Sequence, residues 1–451
     1  MEKINLIEVR GRLGLGATEK NMQLISKYLD RSIFNVLACV SVPGGERENA
    51  FRKMRIKICN IKSHENLFKL IKDKNIHVVH FHASEKHYQT FIKAAREAGA
   101  LAIILMDNTG KMVNSKISKM IDRHMISKMI AIRYKKLYKV SDEDFTKNCL
   151  VLYCLVDLDE IKRSRLSNNE ILLEKKKLGI SPNDVVIGGI GRPDVSKWGN
   201  FYNIMPYLIK RVPNVKFLAM GVPEELKKEI KKRKLDKHFI FLKTDPSDEA
   251  VMKFYQLIDI YALSSSSGGE SFGLTIAEAM AYKKPIVARS TPLADNAQVE
   301  VVDNGKTGFI VYSSEDFAKA IAHLSSHKSL AKKMGLAGYE KVKREYEAKK
   351  ITKMFEKRVI GLLMASGMRI PKKILKRYEK VKHVPSLKDI DDFQAEYRRR
   401  LGDCFGRPNF TEIFLGEHVT WSSLAQRFLT SLKLTDFRNF IRSSHKKSGT
   451  R

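Results

Sequence analysis

Cysteine is scarce in this 451-residue sequence, and long apolar runs are missing from it. The five cysteines are scattered and form no Cys-x-x-Cys or zinc-binding pattern, which favours a reducing cytosol over a disulfide-bonded exported protein. No apolar run approaches the roughly 18 residues that a membrane-spanning helix needs, and the first residues lack the form of a signal peptide. The sequence therefore predicts a cytoplasmic protein that does not cross a membrane.

Acidic residues are also few, because 50 Asp and Glu stand against 83 Lys and Arg, giving a formal net charge of +33. Such an excess attracts nucleic acid, anionic lipid or anionic substrates. The basic residues are spread along the chain without an RNP, zinc-finger or helix-turn-helix pattern, which disfavours nucleic acid as the partner. A hydrophobic content of 43% excludes wholesale disorder, and the length suffices for two cores.

The stretch from Ser264 to Ala281 carries the most specific pattern. A short apolar run at 258–263 predicts a buried parallel strand, and a serine- and glycine-rich loop follows it. Gly273 then precedes strong helix formers, and the free N–H groups of a helix start attract phosphates. Glu270 and Glu278 flank this point, and a carboxylate that accepts two hydrogen bonds suits a sugar diol. The stretch predicts a sugar-nucleotide site.

Two cations follow the predicted strand Val185–Ile190. Arg192 comes directly after Gly191 in the turn, and Lys197 follows five residues later. Ligands of doubly wound sheets bind beyond the carboxyl ends of the strands, where these cations would hold a diphosphate and stabilise its charge as it leaves. A pair of solvated surface charges is the open alternative.

These motifs resemble the paired-glutamate signature of the retaining group 1, family 4-like glycosyltransferases, with Trp198 at a position where relatives usually carry a glycine. The resemblance covers about residues 1–362 and is strongest over 185–312. It implies an α/β protein of GT-B fold, with two Rossmann-like doubly wound domains facing a cleft. It also implies a retaining enzyme that moves a sugar from a nucleotide-diphosphate sugar to a glycan or lipid-linked acceptor, in cell-surface polysaccharide or glycolipid synthesis. No metal or other cofactor is expected.

The resemblance assigns roles to individual residues. No general base is named, because the leaving phosphate itself helps to deprotonate the acceptor in such enzymes. The expected catalytic residues are Arg192, Lys197 and Glu270. The expected substrate-binding residues are Gly14, Gly16, His82, Gly191, Ser271, Phe272, Gly273, Leu274 and Glu278.

Signals in the N-terminal half are weaker. Gly14-x-Gly16 is half of a dinucleotide fingerprint, and Thr18 is predicted to cap the following helix. A tight turn without ligand contact is the open alternative there. His82 follows the predicted strand at 77–81, and a satisfied, partly buried histidine is its alternative. Asp107 stands where several relatives carry a histidine, so no catalytic histidine is assigned at that place.

Two basic segments remain without a defined role. Lys111–Lys139 combines basic residues with apolar ones at helical spacing, which predicts a basic amphipathic helix. Such a helix lies either on the inner face of an anionic membrane, as in a peripheral protein, or with its apolar stripe in the core. The tail beyond Ala365 has basic runs and an amphipathic segment, Trp421–Phe440, but no recognised motif.

The predicted domain organisation is an acceptor-side domain at 1–165, a nucleotide-sugar domain at 180–345, a crossover helix at 346–365 and a basic extension of unknown role at 366–451. Three other interpretations stay open. One is a metal-dependent GT-A transferase, for which the weak candidate motifs are Asp157-x-Asp159, Asp142-x-Asp144 and Asp389-x-Asp391. The second is a basic nucleic-acid-binding protein, and the third is a catalytically silent GT-B scaffold.

Overall fold

The computed structural model describes residues 2–82, 85–112, 114–198, 201–243, 247–265, 269–291 and 295–401. These residues form two units. Of the described residues, the first unit comprises those within 2–158 and 344–393, and the second comprises those within 159–343 and 394–401. Within the described ranges, no helix has both the length and the apolar character needed to cross a membrane.

Both units are built on parallel strands that are largely buried, since helices cover the faces of such sheets. The strands are β1 (Ile4–Arg10), β2 (Phe34–Val40), β3 (Ile58–Asn60), β4 (Val78–His82), β5 (Ala102–Asp107), β6 (Asp122–Met125), β7 (Cys149–Val151), β8 (Val185–Ile190), β9 (Val215–Met220), β10 (Phe239–Leu242), β11 (Ile260–Leu263), β12 (Ile286–Arg289) and β13 (Gly308–Val311).

Helices alternate with the strands, as a doubly wound fold requires. They are α1 (Ala17–Tyr28), α2 (Glu48–Lys53), α3 (His64–Asp73), α4 (Glu85–Glu97), α5 (Ser115–Ser118), α6 (Lys128–Tyr138), α7 (Asp142–Asn148), α8 (Leu158–Arg163), α9 (Asn168–Lys177), α10 (Val195–Trp198), α11 (Phe201–Arg211), α12 (Glu224–Lys232), a 3-10 turn (Asp236–His238), α13 (Asp248–Leu257), α14 (Leu274–Ala281), α15 (Gln298–Val301), α16 (Ser314–Ser326), α17 (Lys328–Glu345), α18 (Ala348–Ala365), α19 (Lys372–Leu375) and α20 (Leu387–Leu401).

The strand orders establish the fold class. The first unit has seven strands in the order β3-β2-β1-β4-β5-β6-β7, and the second has six in the order β10-β9-β8-β11-β12-β13. Each order grows outward in both directions from its first strand, so the switch points lie between β1 and β4 and between β8 and β11. Ligands of doubly wound sheets bind at such points. The predicted pair of Rossmann-like sheets is confirmed.

Aromatic side chains fill the core of the second unit between its sheet and α11. The rings of Phe201 and Phe217 lie 4.1 Å apart, and both side chains are almost fully buried. Trp198 packs edge-on to Phe217 from the end of α10. This packing fixes the segment after β8 against the sheet, and that segment carries the predicted cations.

The prediction of one amphipathic helix over Lys111–Lys139 is wrong. The chain forms α5, β6 and α6 there, and Val113 of the predicted stripe lies outside the described residues. β6 pairs with β5 on one side and β7 on the other, so hydrogen bonding within the sheet overrides the local helical pattern. Ile117, Ile121 and Met125 are all buried, which places these apolar residues in the protein core.

Candidate functional site

The predicted site of the second unit lies at its switch point. β8 and β11 are hydrogen-bonded neighbours, with Ile187 opposite Ile260. The loops that follow these two strands therefore leave the sheet side by side. The Lys197 ammonium donates to Glu270 Oε1 over 2.8 Å and to the Gly269 carbonyl over 2.7 Å. Sheet topology thus joins a predicted cation and a predicted carboxylate that are 73 residues apart in the chain.

Arg192 lies in a turn whose backbone is fixed from two sides. The Trp198 indole N–H donates to the Arg192 carbonyl over 2.9 Å, and the Gly191 N–H donates to the Met220 carbonyl over 3.1 Å. Gly221 has φ of +86°, and a Cβ there would lie 1.9 Å from the Gly191 carbonyl oxygen. Trp198 therefore anchors this turn, while the Arg192 side chain is exposed.

The Glu270 backbone is held by a segment that the sequence did not indicate. The Glu270 N–H donates to the Asp295 carbonyl over 2.9 Å, and the Ala297 N–H donates to the Glu270 carbonyl over 2.8 Å. The Ser271 hydroxyl donates to the Asp295 carboxylate over 2.6 Å. Gly269 has φ of +55°, and a Cβ there would lie 2.0 Å from the Asp295 carbonyl oxygen. The loop after β12 therefore fixes where Glu270 stands.

The helix after this loop begins as predicted. Gly273 is the N-cap of α14 with φ of +95°. Because glycine has no side chain, the N-cap residue does not cap the helix with a side-chain hydrogen bond. Phe272 and Leu274 on either side are buried and hold the turn in the core. The first N–H groups of α14 therefore lie beside Glu270 without a capping side chain from Gly273, an arrangement that suits an anion. Ser266, Ser267 and Gly268 of the predicted loop lie outside the described residues.

Glu278 is oriented by a tyrosine. The Tyr255 hydroxyl donates to Glu278 Oε2 over 2.9 Å. Burial, with a further effect of the Glu278 carboxylate, raises the pKa of Tyr255 well above its usual value, so the phenol keeps its proton. Burial also raises the pKa of Tyr261 on β11, and both Glu270 and Glu278 add to that rise. The paired glutamates therefore lie close to one buried ring.

In the first unit, the glycine turn after β1 is held by an ion pair. Arg10 Nε donates to Glu19 Oε1 over 2.8 Å, and Arg10 also donates to the His82 carbonyl over 2.6 Å. Gly16 is the N-cap of α1, so the prediction that Thr18 caps this helix is wrong. A Cβ at Gly16 would lie 2.4 Å from a Glu19 carboxylate oxygen, whereas one at Gly14 would make only an ordinary contact.

His82 belongs to a fully buried polar cluster. Glu8 Oε2 lies 2.5 Å from His82 Nε2 and 2.9 Å from His80 Nδ1, and the His80 ring stacks on Phe355 of α18. Burial lowers the pKa of His82 to about 4, and His80 contributes to this fall. Burial would raise the pKa of Glu8, but the two imidazoles outweigh it and lower that pKa to about 2. The His82 ring thus contacts Glu8 in the interior of the first unit.

The same three side chains form the one group among the described residues with the composition and spacing of a metal site. Their potential ligand atoms lie within 4.8 Å of one another. None of the three side chains is exposed, so an ion there would have no coordination position open to a substrate. Any ion bound at Glu8, His80 and His82 would therefore be structural.

This cluster predicts a pH dependence of stability. The His82 imidazole takes up its proton near pH 6.5 in the unfolded chain and near pH 4 in the folded protein. The unfolded state therefore binds more protons between these two pH values. Stability should fall as the pH drops through that window, by up to about 3 kcal/mol for this group. Thermal unfolding between pH 7 and 4 measures the effect. His82→Gln should flatten the curve, whereas the exposed His327→Gln should not; equal slopes in both variants would contradict the assignment.

Two doubly wound parallel sheets, with predicted ligand-binding groups at the switch point of the second, define a GT-B glycosyltransferase fold. Residues 175–341, which lie within the second unit, match the family model described as Glycosyl transferases group 1. The trehalose synthase of Thermococcus litoralis is 29% identical over 198 residues, which are 41% of this chain and 46% of that protein. The chain thus matches about half the length of this curated relative.

Solved structures extend the likeness over most of the chain. A glycosyltransferase from Rickettsia africae has a TM-score of 0.70 at 19% identity, covering 80% of this chain and 99% of that one. Anabaena HepE, crystallised with UDP and glucose, has a TM-score of 0.66 at 16% identity, covering 79% of this chain and all of that one. At these identities the likeness establishes the shared fold.

Proposed function

We propose that this protein is a retaining glycosyltransferase that takes its donor as a nucleotide-diphosphate sugar. The observation that carries the proposal is the contact between Lys197 and Glu270 at the switch point of a group 1 domain. In this position a cation for the diphosphate and a carboxylate for the sugar hydroxyls stand next to each other. The N–H groups at the start of α14 and the nearby Glu278 complete the set of groups that such a donor needs.

The chemistry of Lys197 supports a role toward the leaving group. An ammonium has three N–H donors, and its contacts with Gly269 and Glu270 use two of them within the described residues. The third donor would meet a phosphate oxygen. Together with Arg192, the ammonium would stabilise the negative charge that grows on the diphosphate as the sugar leaves. Both cations are supplied by the protein, so the diphosphate is neutralised by side chains.

The carboxylates would bind the rest of the donor. Glu270 would accept hydrogen bonds from the donor sugar, with the backbone of Ser271, Phe272, Gly273 and Leu274 near the sugar and phosphate. Glu278, oriented by Tyr255, would accept the ribose hydroxyls. In the first unit we propose acceptor binding. Gly14 and Gly16, at the turn after β1, are proposed as substrate-binding residues that contact the donor diphosphate. His82 would position that turn through its carbonyl contact with Arg10 rather than touch a ligand with its buried ring.

The acceptor is proposed to be a glycan or lipid-linked molecule of a cell-surface pathway, with the protein in the cytoplasm and peripheral on the inner face of the membrane. The support for this part is the net charge of +33, which favours anionic surfaces and substrates. Nucleic acid is the competing partner for such a charge, and its binding would weaken steeply with salt.

A thermal-shift screen of UDP-, GDP- and ADP-sugars tests the proposal, starting with UDP-glucose. One nucleotide class should raise the melting temperature, because a ligand that binds only the folded state stabilises it by mass action. Glu278→Ala should lose the shift. Product analysis then separates transfer from hydrolysis or epimerisation. No shift with any donor, combined with tight and salt-dependent RNA binding, would favour the nucleic-acid interpretation. Donor binding without turnover would favour a silent scaffold.

A further inference from the structure

The C-terminal extension beyond Ala365 contains no recognised motif, yet its helix α20 reaches the candidate site of the second unit. Tyr397 on this helix is only 5% exposed. Its hydroxyl oxygen accepts a hydrogen bond from the Asn296 side-chain amide over 2.9 Å. These two residues are 101 positions apart and belong to the same unit. A buried tyrosine that reaches a specific partner with its hydroxyl indicates a defined docking contact.

Asn296 is a fully buried amide whose hydrogen bonds are all made inside the protein. Its Nδ2 donates to the Ser290 hydroxyl over 3.1 Å and to Tyr397 over 2.9 Å, and its Oδ1 accepts from the Thr291 N–H over 2.8 Å. A side-chain amide has two N–H donors, so Tyr397 takes the second one. Without that hydroxyl, a buried donor would lack its partner, which is costly away from water.

The residues around Asn296 also hold the Glu270 loop. Asn296 and Glu270 form a parallel bridge, through the Asp295 carbonyl on one side and the Ala297 N–H on the other. The Thr291 hydroxyl donates to that same Asp295 carbonyl over 2.8 Å. Tyr397 therefore connects through one amide to the backbone that places Glu270 beside Lys197.

We propose that Tyr397 is a positioning residue, supplied by the C-terminal extension, that holds the loop after β12 in the shape required by Glu270 and Ser271. This inference rests on the proposed function in assigning a sugar nucleotide to the loop. Helix α20 is then a part of the donor site. Its Tyr397 hydroxyl holds the Asn296 side chain, and the backbone bridge between Asn296 and Glu270 fixes the position of Glu270. Tyr397 does not touch the ligand.

Tyr397→Phe in the full-length protein tests the inference, because it removes the hydroxyl and keeps the ring. Tyr378→Phe is a matched control from the same extension. Tyr378 is also buried, and its hydroxyl donates over 3.0 Å to Glu356 in the first unit. The affinity for UDP-glucose, which carries the sugar assigned to Glu270, should fall about fivefold or more in Tyr397→Phe when it is measured by titration calorimetry. It should stay within about twofold of wild type in Tyr378→Phe.

Hydrogen exchange of the unliganded protein separates this inference from the proposed function. Backbone amides of residues 269–275 and 295–297 should exchange faster in Tyr397→Phe and at the wild-type rate in Tyr378→Phe. Wild-type exchange of both segments in Tyr397→Phe would overturn the positioning role whether or not UDP binds. Altered exchange together with unchanged UDP-glucose affinity would overturn the link to the ligand. Failure of the wild type to bind any sugar nucleotide counts against the proposed function alone, since the exchange result stands without a ligand.

Discussion

Replacing Lys197 by alanine is expected to lower the rate of sugar transfer by about two to three orders of magnitude. Loss of one preorganised donor to charge that develops in a transition state costs about this much. The substitution also leaves Glu270 without its cation and the Gly269 carbonyl without its donor. The turnover number and the KM for the donor, both measured with the nucleotide sugar that binds the wild type, report the loss. The turnover number should change more than the KM for the donor, because the charge on the diphosphate grows as the sugar leaves.

Lys175→Ala is the matched control for this experiment. Lys175 also lies in the second unit, pairs with Asp259 over 3.3 Å and is 20% exposed, compared with 21% for Lys197. Surface ion pairs of this kind contribute about 1 kcal/mol or less to stability, so both variants should fold. Lys175→Ala should keep near wild-type turnover. If the two variants were equally active, Lys197 would have only a structural role in the loop.

Replacing Gly221 by alanine is expected to destabilise the second unit by about 3 kcal/mol or more. The φ of +86° disfavours any side chain, and the new Cβ would overlap the Gly191 carbonyl oxygen at 1.9 Å. The backbone must move to relieve this overlap, so the turn that carries Arg192 should shift as well. Binding of the nucleotide sugar that stabilises the wild type in the thermal-shift screen should therefore weaken along with stability.

Gly305→Ala separates the overlap from the backbone preference. Gly305 has a similar φ of +80°, and a Cβ there would meet no atom within 4 Å. Gly305→Ala should lower the free energy of unfolding only by the cost of a left-handed backbone conformation, about 1 kcal/mol. It should leave binding of the same nucleotide sugar unchanged. Urea unfolding followed by the fluorescence of the buried Trp198 measures both variants, with Trp421→Phe as background because the chain has two tryptophans. Equal free energies of unfolding for the two variants would show that the overlap is relieved without cost.

The sequence alone predicted the doubly wound sheet of the second unit, together with the residues proposed for its candidate site. Strand β8 has the predicted bounds, Val185–Ile190. This success has a local cause, because a buried parallel strand is a short apolar run and its end is marked by glycine or proline. The same local signals placed Gly273 at the start of α14.

Only the tertiary structure decided which distant residues meet, because the order of strands in a sheet brings together segments that no local pattern connects. The β8–β11 pairing joins Lys197 to Glu270. The same kind of pairing made β6 a strand within the stretch predicted as a helix. The link from Tyr397 to Asn296 spans 101 residues and depends on the packing of α20, for which no motif exists. Sequence periodicity records which face of an element is buried, whereas the partner on that face is set by the fold as a whole.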